Sequence, residues 1–194
     1  ENLQCTIYLL SADLKEEDTE QIKELTESFG GRFCLIRVEI ERFPKELPSN
    51  EMITVETYFR LALPDLLPPE AERVLYLDAD LIVNGSLREL YETDFAGKSF
   101  AACKDVTTTS AEHVQSSPLF AELREKEGFM YFNAGVLLFN LKKIRRIYDF
   151  EFFMGQAVKL KDELVFHDQD LLNYLFWNDV AYADAERFNL AART

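Results

Sequence analysis

The chain has 194 residues, of which 47% are apolar and 29% are charged, a balance typical of a globular protein with one domain. Its formal net charge of −14 argues against a nucleic acid as the main partner. The same charge is compatible with a diphosphate ligand, because a bound metal cation can reverse the sign of the local field. No apolar run reaches the ~18 residues that would indicate a membrane span.

The cysteines, Cys5, Cys34 and Cys103, each lie beside apolar residues. An odd number of cysteines without close spacing indicates neither a disulfide framework nor a zinc site. We therefore predict buried, reduced thiols in strands. Such thiols suit a reducing compartment.

The apolar pattern predicts strands that alternate with helices. The strands are predicted over residues 5–10, 33–40, 73–77, 99–104, 129–141 and 180–183, and the helices over residues 16–29, 54–63, 86–91, 142–160 and 168–177. Residues 107–127 are polar and are predicted to form a helical or loop excursion. This alternation indicates an α/β fold with a mostly parallel sheet flanked by helices, in which ligands bind beyond the carboxyl ends of the strands.

Two acids, Asp78 and Asp80, follow the short apolar strand predicted over residues 73–77. Alternate residues of an extended chain face the same way, ~6–7 Å apart, so both carboxylates could point at one cation. Acids in an apolar setting are costly unless they are paired or metal-bound, and oxygen ligands suit Mg²⁺ or Mn²⁺ completed by substrate phosphates. The alternative is a solvated loop, because 35 acidic residues make a chance Asp-x-Asp triplet expected; residues 168–170 form a second one.

Four segments, in order along the chain, carry a family resemblance. They are residues 57–61 (Thr-Tyr-Phe-Arg-Leu), 75–80 (Leu-Tyr-Leu-Asp-Ala-Asp), 131–136 (Tyr-Phe-Asn-Ala-Gly-Val) and 168–173 (Asp-Gln-Asp-Leu-Leu-Asn). Together they resemble glycosyltransferase family 8, the retaining family that includes bacterial lipopolysaccharide galactosyl- and glucosyltransferases and glycogenin. The resemblance covers nearly the whole chain and is far more specific than the acid pair alone.

This resemblance implies a single domain over residues 1–194 with the GT-A fold, which binds a nucleotide-diphospho-sugar. Asp78 and Asp80 would bind Mn²⁺ or Mg²⁺ at the donor diphosphate. The residues that would line the donor-sugar pocket are Arg60, Asp78, Asp105, Asn133, Ala134, Gly135, Asp168 and Gln169. Among these, Asp168 and Gln169 are the expected catalytic residues.

Several of these residues also have purely structural explanations. The planar donors of Arg60 could bind sugar hydroxyls or a nearby carboxylate, or the side chain could lie at the surface. Asp105 could bind a sugar hydroxyl or cap the helix that follows, and Asp168 could cap the helix that begins there. Asn133 lies in an apolar strand, where a buried amide needs partners with or without a ligand. Gly135 permits close approach of a backbone, or simply tight packing.

The two histidines are expected to lie outside the metal site. His113 lies in the polar excursion and is predicted to be solvated, and His167 is not expected to be a metal ligand. The resemblance implies instead a histidine near the C-terminus, in a His-x-x-x-x-Lys-Pro-Trp-like segment, with a lysine that would neutralise the leaving diphosphate. This sequence contains neither that segment nor the family's first strand and helix. We therefore expect a domain that is incomplete at both ends, or an inactive piece of one.

The expected reaction is transfer of a hexose from UDP-glucose or UDP-galactose to a glycan or lipopolysaccharide-type acceptor, with retention of configuration. Front-face attack is favoured over a covalent intermediate, because Gln169 is a poor nucleophile. Residues 107–127 are either a segment that helps to select the acceptor or a surface insertion. The alternatives are a catalytically inactive module that binds a nucleotide-sugar or a metal, a nucleotidyltransferase, and a domain whose acid pair binds structural Ca²⁺.

The expected partners are the UDP-sugar donor and a glycan or glycolipid acceptor, without a nucleic acid. We expect a cytoplasmic protein, including the inner face of the membrane as a place of action. Any peripheral membrane contact would come from a segment outside this sequence. The sequence leaves the oligomeric state, the donor sugar and the acceptor open.

Overall fold

The computed structural model describes residues 5–48 and 54–190. The strands are β1 (Thr6–Ser11), β2 (Arg32–Arg37), β3 (Val74–Leu77), β4 (Phe100–Lys104), β5 (Phe132–Phe139) and β6 (Val180–Ala183). The α-helices are α1 (Glu16–Ser28), α2 (Leu63–Leu66), α3 (Arg88–Tyr91), α4 (Thr108–Ser116), α5 (Ala121–Arg124), α6 (Leu141–Ile144), α7 (Phe150–Lys159), α8 (His167–Phe176) and α9 (Ala185–Phe188). Short 3₁₀ segments cover Ile40–Arg42, Val55–Ala62 and Pro118–Phe120.

The strands form two sheets. β1 and β2 pair in parallel, and the other four strands lie in the order β3-β5-β4-β6. Within the larger sheet, β3, β4 and β6 run in one direction and β5 runs antiparallel to both of its neighbours. The predicted α/β fold with a mostly parallel sheet is therefore confirmed, with β5 as the reversed strand. None of the helices in the described residues is both long and apolar enough to cross a bilayer.

The pairing of β5 with β4 is irregular. The register runs from Phe100 opposite Phe139 to Ala102 opposite Leu137, and then resumes only with Lys104 opposite Phe132. The backbone of β5 between these pairs is thus free of the β4 ladder and must find other hydrogen-bond partners. On its other side β5 stays paired with β3, so the end of β3 lies beside this irregular stretch.

The hydrophobic core fixes α8 against the larger sheet. Phe176 of α8 and Phe139 of β5 both pack edge to face on Phe100 of β4, with ring centroids 4.9 and 5.0 Å apart. All three side chains are almost fully buried. Burial of a phenylalanine side chain contributes about 1.5–3 kcal/mol, and edge-to-face contacts add to it. This packing fixes the last turn of α8 against the larger sheet.

The helix predicted over residues 16–29 is confirmed as α1, but not all of its apolar side chains are buried. Leu25 and Phe29 are 62% and 76% exposed, and Thr26 is the buried residue of this helix. α1 packs on the two-stranded sheet β1–β2. Within the described residues, this sheet leaves the Leu25 and Phe29 side chains uncovered.

The prediction of buried cysteines holds for only one of the three. Cys103 is buried in β4, and burial raises the pKa of its thiol to about 11. Cys5, which directly precedes β1, and Cys34, in β2, are exposed. All three are free thiols, as expected from their spacing.

Two predicted helices differ from the observed ones. The helix predicted over residues 54–63 is a 3₁₀ segment, and it passes directly into α2. Pro64 fits the first turn of α2, because the N–H group that proline lacks has no hydrogen-bond partner within the helix there. The helix predicted over residues 142–160 is divided into α6 and α7. The division follows from Asp149, whose side chain accepts a hydrogen bond from the Phe152 N–H and caps a new helix.

Arg145, directly after α6, stabilises the turn that leads from α2 into β3. Its guanidinium donates at 2.7–3.1 Å to the backbone oxygens of Pro64, Leu67, Pro68, Pro69 and Ala71. We expect Arg145→Ala to lower the free energy of unfolding by about 2–4 kcal/mol, because several carbonyls lose a charged donor at once. Urea denaturation would measure this loss. Arg146→Ala, at the exposed neighbouring position, is the control and is expected to change stability by less than about 0.5 kcal/mol.

Candidate functional site

Arg60 lies at the centre of the candidate site. Its position on the tight 3₁₀ segment Val55–Ala62 directs the side chain inward, where it is only 8% exposed. One terminal nitrogen lies 3.0 Å from Asp78 Oδ1, another donates to the Ala134 carbonyl, and Nε lies 2.9 Å from Asp168 Oδ2. The guanidinium also covers the Tyr76 ring at 4.4 Å. Arg60 is therefore not a surface arginine but the residue that joins three segments of the chain.

Asp78 stands at the end of β3 and faces both Arg60 and β5. Its Oδ1 also accepts a hydrogen bond from the Tyr76 hydroxyl at 2.8 Å, and its backbone N–H donates to the Gly135 carbonyl at 2.9 Å. The carboxylate lies so close to Gly135 that a Cβ there would meet Oδ2 at 2.5 Å. Of the two explanations for Gly135, tight packing is the one observed, and the group packed against it is the Asp78 carboxylate.

Asp168, in the first turn of α8, is a buried acid beside a buried base. Burial raises the pKa of Asp168 to about 6, against the opposing effect of Arg60. Burial alone would lower the pKa of the Arg60 guanidinium, but the charges of Asp168 and Asp78 contribute to raising it. The two groups lie 2.9 Å apart, yet the Arg60 Nε–H donates to the Thr57 carbonyl, and Asp168 Oδ2 has no hydrogen-bond partner in the described residues. Asp168 Oδ2 is therefore paired with a positive charge but accepts no hydrogen bond from the described residues.

Gln169 lies next to Asp168 and connects α8 with two other segments. Its Oε1 accepts a hydrogen bond from the Ala134 N–H at 2.9 Å, one of the β5 groups left free of the β4 ladder. Its Nε2 donates to Asp105 Oδ2 at 3.2 Å and to the Tyr131 hydroxyl at 3.3 Å. Asp105 also accepts bonds from the Thr107 N–H and hydroxyl and so orders the entry to α4. Asp105 thus combines a capping role with support of Gln169.

Two asparagines satisfy further backbone groups of β5. Asn173 of α8 accepts from the Phe132 N–H at 2.7 Å and donates to the Phe132 carbonyl at 2.8 Å, as a neighbouring strand would. Asn133 Oδ1 accepts from the Gly135 N–H and from Asn189 Nδ2, both at 2.8 Å. Asn133 is half-buried, and these internal bonds satisfy its amide oxygen.

The predicted residues converge on one cleft of about 170 Å³. Its lining consists of Thr57, Arg60, Asp78, Ala134, Gly135, Phe166, Asp168 and Gln169. Three predicted site residues are not part of this lining. Asp105 and Asn133 contact it through Gln169 and Gly135, and Asp80 lies on the exposed turn after β3.

The two acids of the predicted metal site differ in environment. Asp78 is half-buried with Oδ1 bound to Arg60 and Tyr76, whereas Asp80 is exposed. The chain turns at Ala79 and Asp80 instead of continuing in the extended form expected from alternation. No group of three or more His, Cys, Asp or Glu side chains in residues 5–48 and 54–190 is arranged to hold a metal ion. Two carboxylates fit a Mg²⁺- or Mn²⁺-type site in which water and substrate phosphates supply the other oxygens.

The sequence missed a buried network behind the cleft. Asp170 is fully buried and accepts hydrogen bonds from the Tyr131 hydroxyl at 2.6 Å and from His113 Nε2 at 2.9 Å. The prediction that His113 is solvated is therefore wrong, because the helix that carries it folds over α8. His167 is also buried, beside Tyr58, with a φ of 45° that is uncommon for a non-glycine residue. The sequence signal for this network was Asp170, an acid that directly precedes the apolar residues Leu171 and Leu172.

Comparison with known proteins identifies the family. Residues 1–192 match the profile described as glycosyl transferase family 8. The chain belongs to this family. The resemblance carried by the four sequence segments is thus confirmed over nearly the full length of the chain.

Among the curated members of the family, the lipopolysaccharide 1,3-galactosyltransferase of Salmonella typhimurium is 32% identical over 180 residues, which cover 89% of this chain and 50% of that protein. A putative glycosyltransferase of Haemophilus influenzae is 28% identical over 185 residues, covering 94% of this chain and 53% of the relative. The chain therefore spans about half the length of these two curated relatives.

Solved structures confirm the GT-A fold. The galactosyltransferase LgtC, solved with donor and acceptor sugar analogues, is 33% identical with a TM-score of 0.78, and the match covers 92% of this chain and 62% of that one. The glycosyltransferase GlyE of Streptococcus pneumoniae TIGR4 is 28% identical with a TM-score of 0.67, covering 93% of this chain and 38% of the other. Both are GT-A glycosyltransferases.

The packing of Asp78 on Gly135 gives a testable expectation. Gly135→Ala would place a methyl group 2.5 Å from Asp78 Oδ2 and 3.1 Å from Asn133 Oδ1, so one of these groups must move. We expect a loss of about 1–3 kcal/mol in the free energy of unfolding, measured by urea denaturation. Gly155→Ala in α7 is the matched control, because nothing lies within 4 Å of its added Cβ and alanine favours a helix. A Gly135→Ala protein as stable as the wild type would contradict the observed contact.

Proposed function

We propose that this chain is the donor-binding part of a retaining hexosyltransferase, which transfers glucose or galactose from its UDP derivative to a glycan or lipopolysaccharide-type acceptor. The observation that carries the proposal is the cleft in which a buried arginine, Arg60, lies between two acids, Asp78 and Asp168, in a member of glycosyl transferase family 8. The names of relatives that act on lipopolysaccharide support the acceptor class.

The polar groups of the cleft suit a hexose. A sugar hydroxyl both donates and accepts hydrogen bonds, so a sugar pocket needs donors and acceptors close together. Arg60 supplies donors, and Asp168 Oδ2, which is ion-paired with Arg60 but accepts no hydrogen bond from the described residues, supplies a buried acceptor. A sugar hydroxyl that donates to Asp168 would add a hydrogen bond to a buried carboxylate and so would stabilise binding. An analogue without that hydroxyl would be rejected for the same reason.

The size of the cleft supports the same assignment. Its volume of about 170 Å³ is smaller than the ~300–1,000 Å³ of pockets for drug-sized ligands. A space of this size suits a single sugar ring, not a whole nucleotide-sugar. The diphosphate and the nucleoside would then extend from the cleft toward the turn that carries Asp80, which is exposed and free to bind them through a cation.

Asp78 and Asp80 are the proposed ligands of Mn²⁺ or Mg²⁺. When bound, such an ion would act as a Lewis acid on the diphosphate leaving group. Arg60 fixes Asp78 by an ion pair at 3.0 Å and Tyr76 by stacking, so the position of this carboxylate is set before any ligand arrives. Pre-set charges of this kind avoid reorganisation during the reaction.

A front-face reaction is the mechanism we favour. The bond between the anomeric carbon and the β-phosphate oxygen breaks, the acceptor oxygen bonds to the same face of that carbon, and the acceptor proton passes to the leaving phosphate. Neither Gln169 nor Asp168 is well placed to act as a nucleophile, because Gln169 makes three hydrogen bonds and Asp168 is paired with Arg60. In this proposal the two side chains bind and orient the hexose while positive charge develops on its ring.

A second candidate function is a module that binds a nucleotide-sugar or a metal without turnover. It is favoured by the pair of acids without a third side-chain ligand in the described residues. The two functions share the cleft and differ in product formation. Binding of UDP and metal without release of UDP from either donor would support the module.

A cytoplasmic place of action, with contact to the inner membrane face, belongs to the transferase proposal, because the lipopolysaccharide acceptors of relatives are lipid-linked glycans.

The role of Asp80 can be tested by calorimetric titration with UDP in the presence and absence of Mn²⁺. We expect the wild type to bind UDP at least about tenfold more tightly with Mn²⁺, and Asp80→Asn to lose most of this difference, because it removes one of two charged ligands. Asp162→Asn, which changes an exposed acid in the turn after α7, is the matched control and is expected to behave as wild type.

Three outcomes separate the candidate functions. Metal-dependent binding that needs Asp80, followed by release of UDP from a UDP-hexose, supports the transferase. The same binding without release supports the binding module. Binding of Mn²⁺ or Ca²⁺ that is unaffected by UDP would contradict both and favour a structural metal site.

A further inference from the structure

A closed ring of hydrogen bonds begins and ends on α4. From α4, the Ser110 hydroxyl donates to Asp105 Oδ2 at 2.8 Å, and the same carboxylate accepts from Gln169 Nε2 at 3.2 Å. Gln169 Nε2 also donates to the Tyr131 hydroxyl, which donates to Asp170 Oδ1 at 2.6 Å. The ring returns to α4 through His113, whose Nε2 lies 2.9 and 3.1 Å from the two oxygens of Asp170.

The two α4 residues in this ring are three positions apart. Residues i and i+3 lie on the same face of a helix, and from this face Ser110 contacts Asp105, directly after β4, while His113 contacts Asp170 of α8. Both side chains are buried, with the His113 side chain only 8% exposed. The His113 ring also packs edge-on against Phe166 with centroids 4.7 Å apart. α4 is thus fastened to the site at two points and is not a free surface insertion.

The direction of each bond in the ring follows from chemistry. Asp170 accepts four donors: the Tyr131 hydroxyl, His113 Nε2 and the backbone N–H groups of Val165 and Phe166. A carboxylate that only accepts requires the His113 Nε2 to carry a proton and the Tyr131 hydroxyl to donate its own. The Tyr131 oxygen is then left as an acceptor, and within the described residues the Gln169 amide nitrogen is the group that donates a hydrogen bond to it.

This chain of donors fixes which way the Gln169 amide faces. Its nitrogen must point to Asp105 and Tyr131, and its oxygen must point to the Ala134 N–H. A rotated amide would set its oxygen against the Asp105 carboxylate and its nitrogen against a backbone donor. Gln169 lines the cleft, so the orientation of its amide determines which atom a bound sugar meets.

We propose that α4 is the element that sets the orientation of Gln169, with His113, Tyr131 and Ser110 as positioning residues for the hexose site. This inference rests on the proposed function only for its effect on turnover. The effect on the Gln169 amide follows from the hydrogen bonds alone. In this proposal the polar segment 107–127, which the sequence analysis interpreted as a surface insertion or an acceptor-selecting segment, orients Gln169 through α4.

The test uses four variants of the protein. His113→Phe keeps the aromatic packing against Phe166 but removes the donor to Asp170, whereas His113→Gln keeps an amide N–H near the position of Nε2. Tyr131→Phe breaks the ring at its centre. Glu112→Gln changes the exposed neighbour of His113 on α4 and serves as the control.

The first readout is solvent exchange of the Gln169 side-chain amide protons by NMR, with their signals assigned by their loss in Gln169→Glu. We expect exchange about fivefold faster in His113→Phe, faster still in Tyr131→Phe, and near the wild-type rate in His113→Gln and Glu112→Gln. The second readout is turnover of the UDP-hexose. We expect kcat to fall roughly 10- to 100-fold in His113→Phe and Tyr131→Phe, with the donor KM within about twofold of wild type.

Wild-type exchange rates for Gln169 in both His113→Phe and Tyr131→Phe would overturn the inference, whatever happens to turnover. The inference would also be overturned if kcat fell by the same factor, and the melting temperature by the same amount, in all four variants including the control. Such a result would indicate a general loss of stability. If the wild-type protein turns over neither UDP-glucose nor UDP-galactose, the proposed function fails. The amide exchange then still decides whether α4 positions Gln169.

Discussion

The guanidinium of Arg60 is the group on which the other parts of the cleft depend. A buried arginine is tolerated only where charges and oxygens surround it, and Arg60 meets Asp78 from β3, Asp168 from α8 and the Ala134 carbonyl from β5. Each of these groups would in turn be costly without the cation. Three segments distant in sequence therefore share one charge, and their relative positions follow from it. The removal of Arg60 would leave two acids close together in a half-buried cleft.

The interruption of β5 makes room for this arrangement. A regular ladder between β4 and β5 would engage the backbone between Phe132 and Leu137, but the register shift leaves this stretch free of β4. Side chains then take the place of a strand: Asn173 on Phe132 and Gln169 on the Ala134 N–H. Gly135, which carries no side chain, lets Asp78 approach. The fold thus converts unpaired strand backbone into anchor points for the residues of the cleft.

Local patterns in the sequence predicted the parts of this site that lie within single segments. The sequence predicted that Asp78 follows a buried strand and that Asp168 and Gln169 begin a helix. The family resemblance then predicted that these residues belong to one site. The network of His113 and Asp170 could not be predicted, because these residues are 57 positions apart and no pattern within either segment indicates the other. The exposed Leu25 and Phe29 escaped prediction for a similar reason, since helix periodicity does not report the width of the sheet that a helix covers.

The central claim is that Arg60 shapes a pocket for the hexose and not for the nucleotide. Titration of wild type and Arg60→Lys with UDP and with a C2-fluorinated UDP-hexose, both with Mn²⁺, tests it most directly, with the exposed Arg146→Lys as control. Lysine keeps the charge but cannot contact Asp78, Asp168 and the Ala134 carbonyl together. The account predicts that Arg60→Lys loses at least about tenfold more affinity for the UDP-hexose than for UDP, whose binding depends on Arg60 only through the position of Asp78. Equal losses for both ligands, or none for the UDP-hexose, would contradict it.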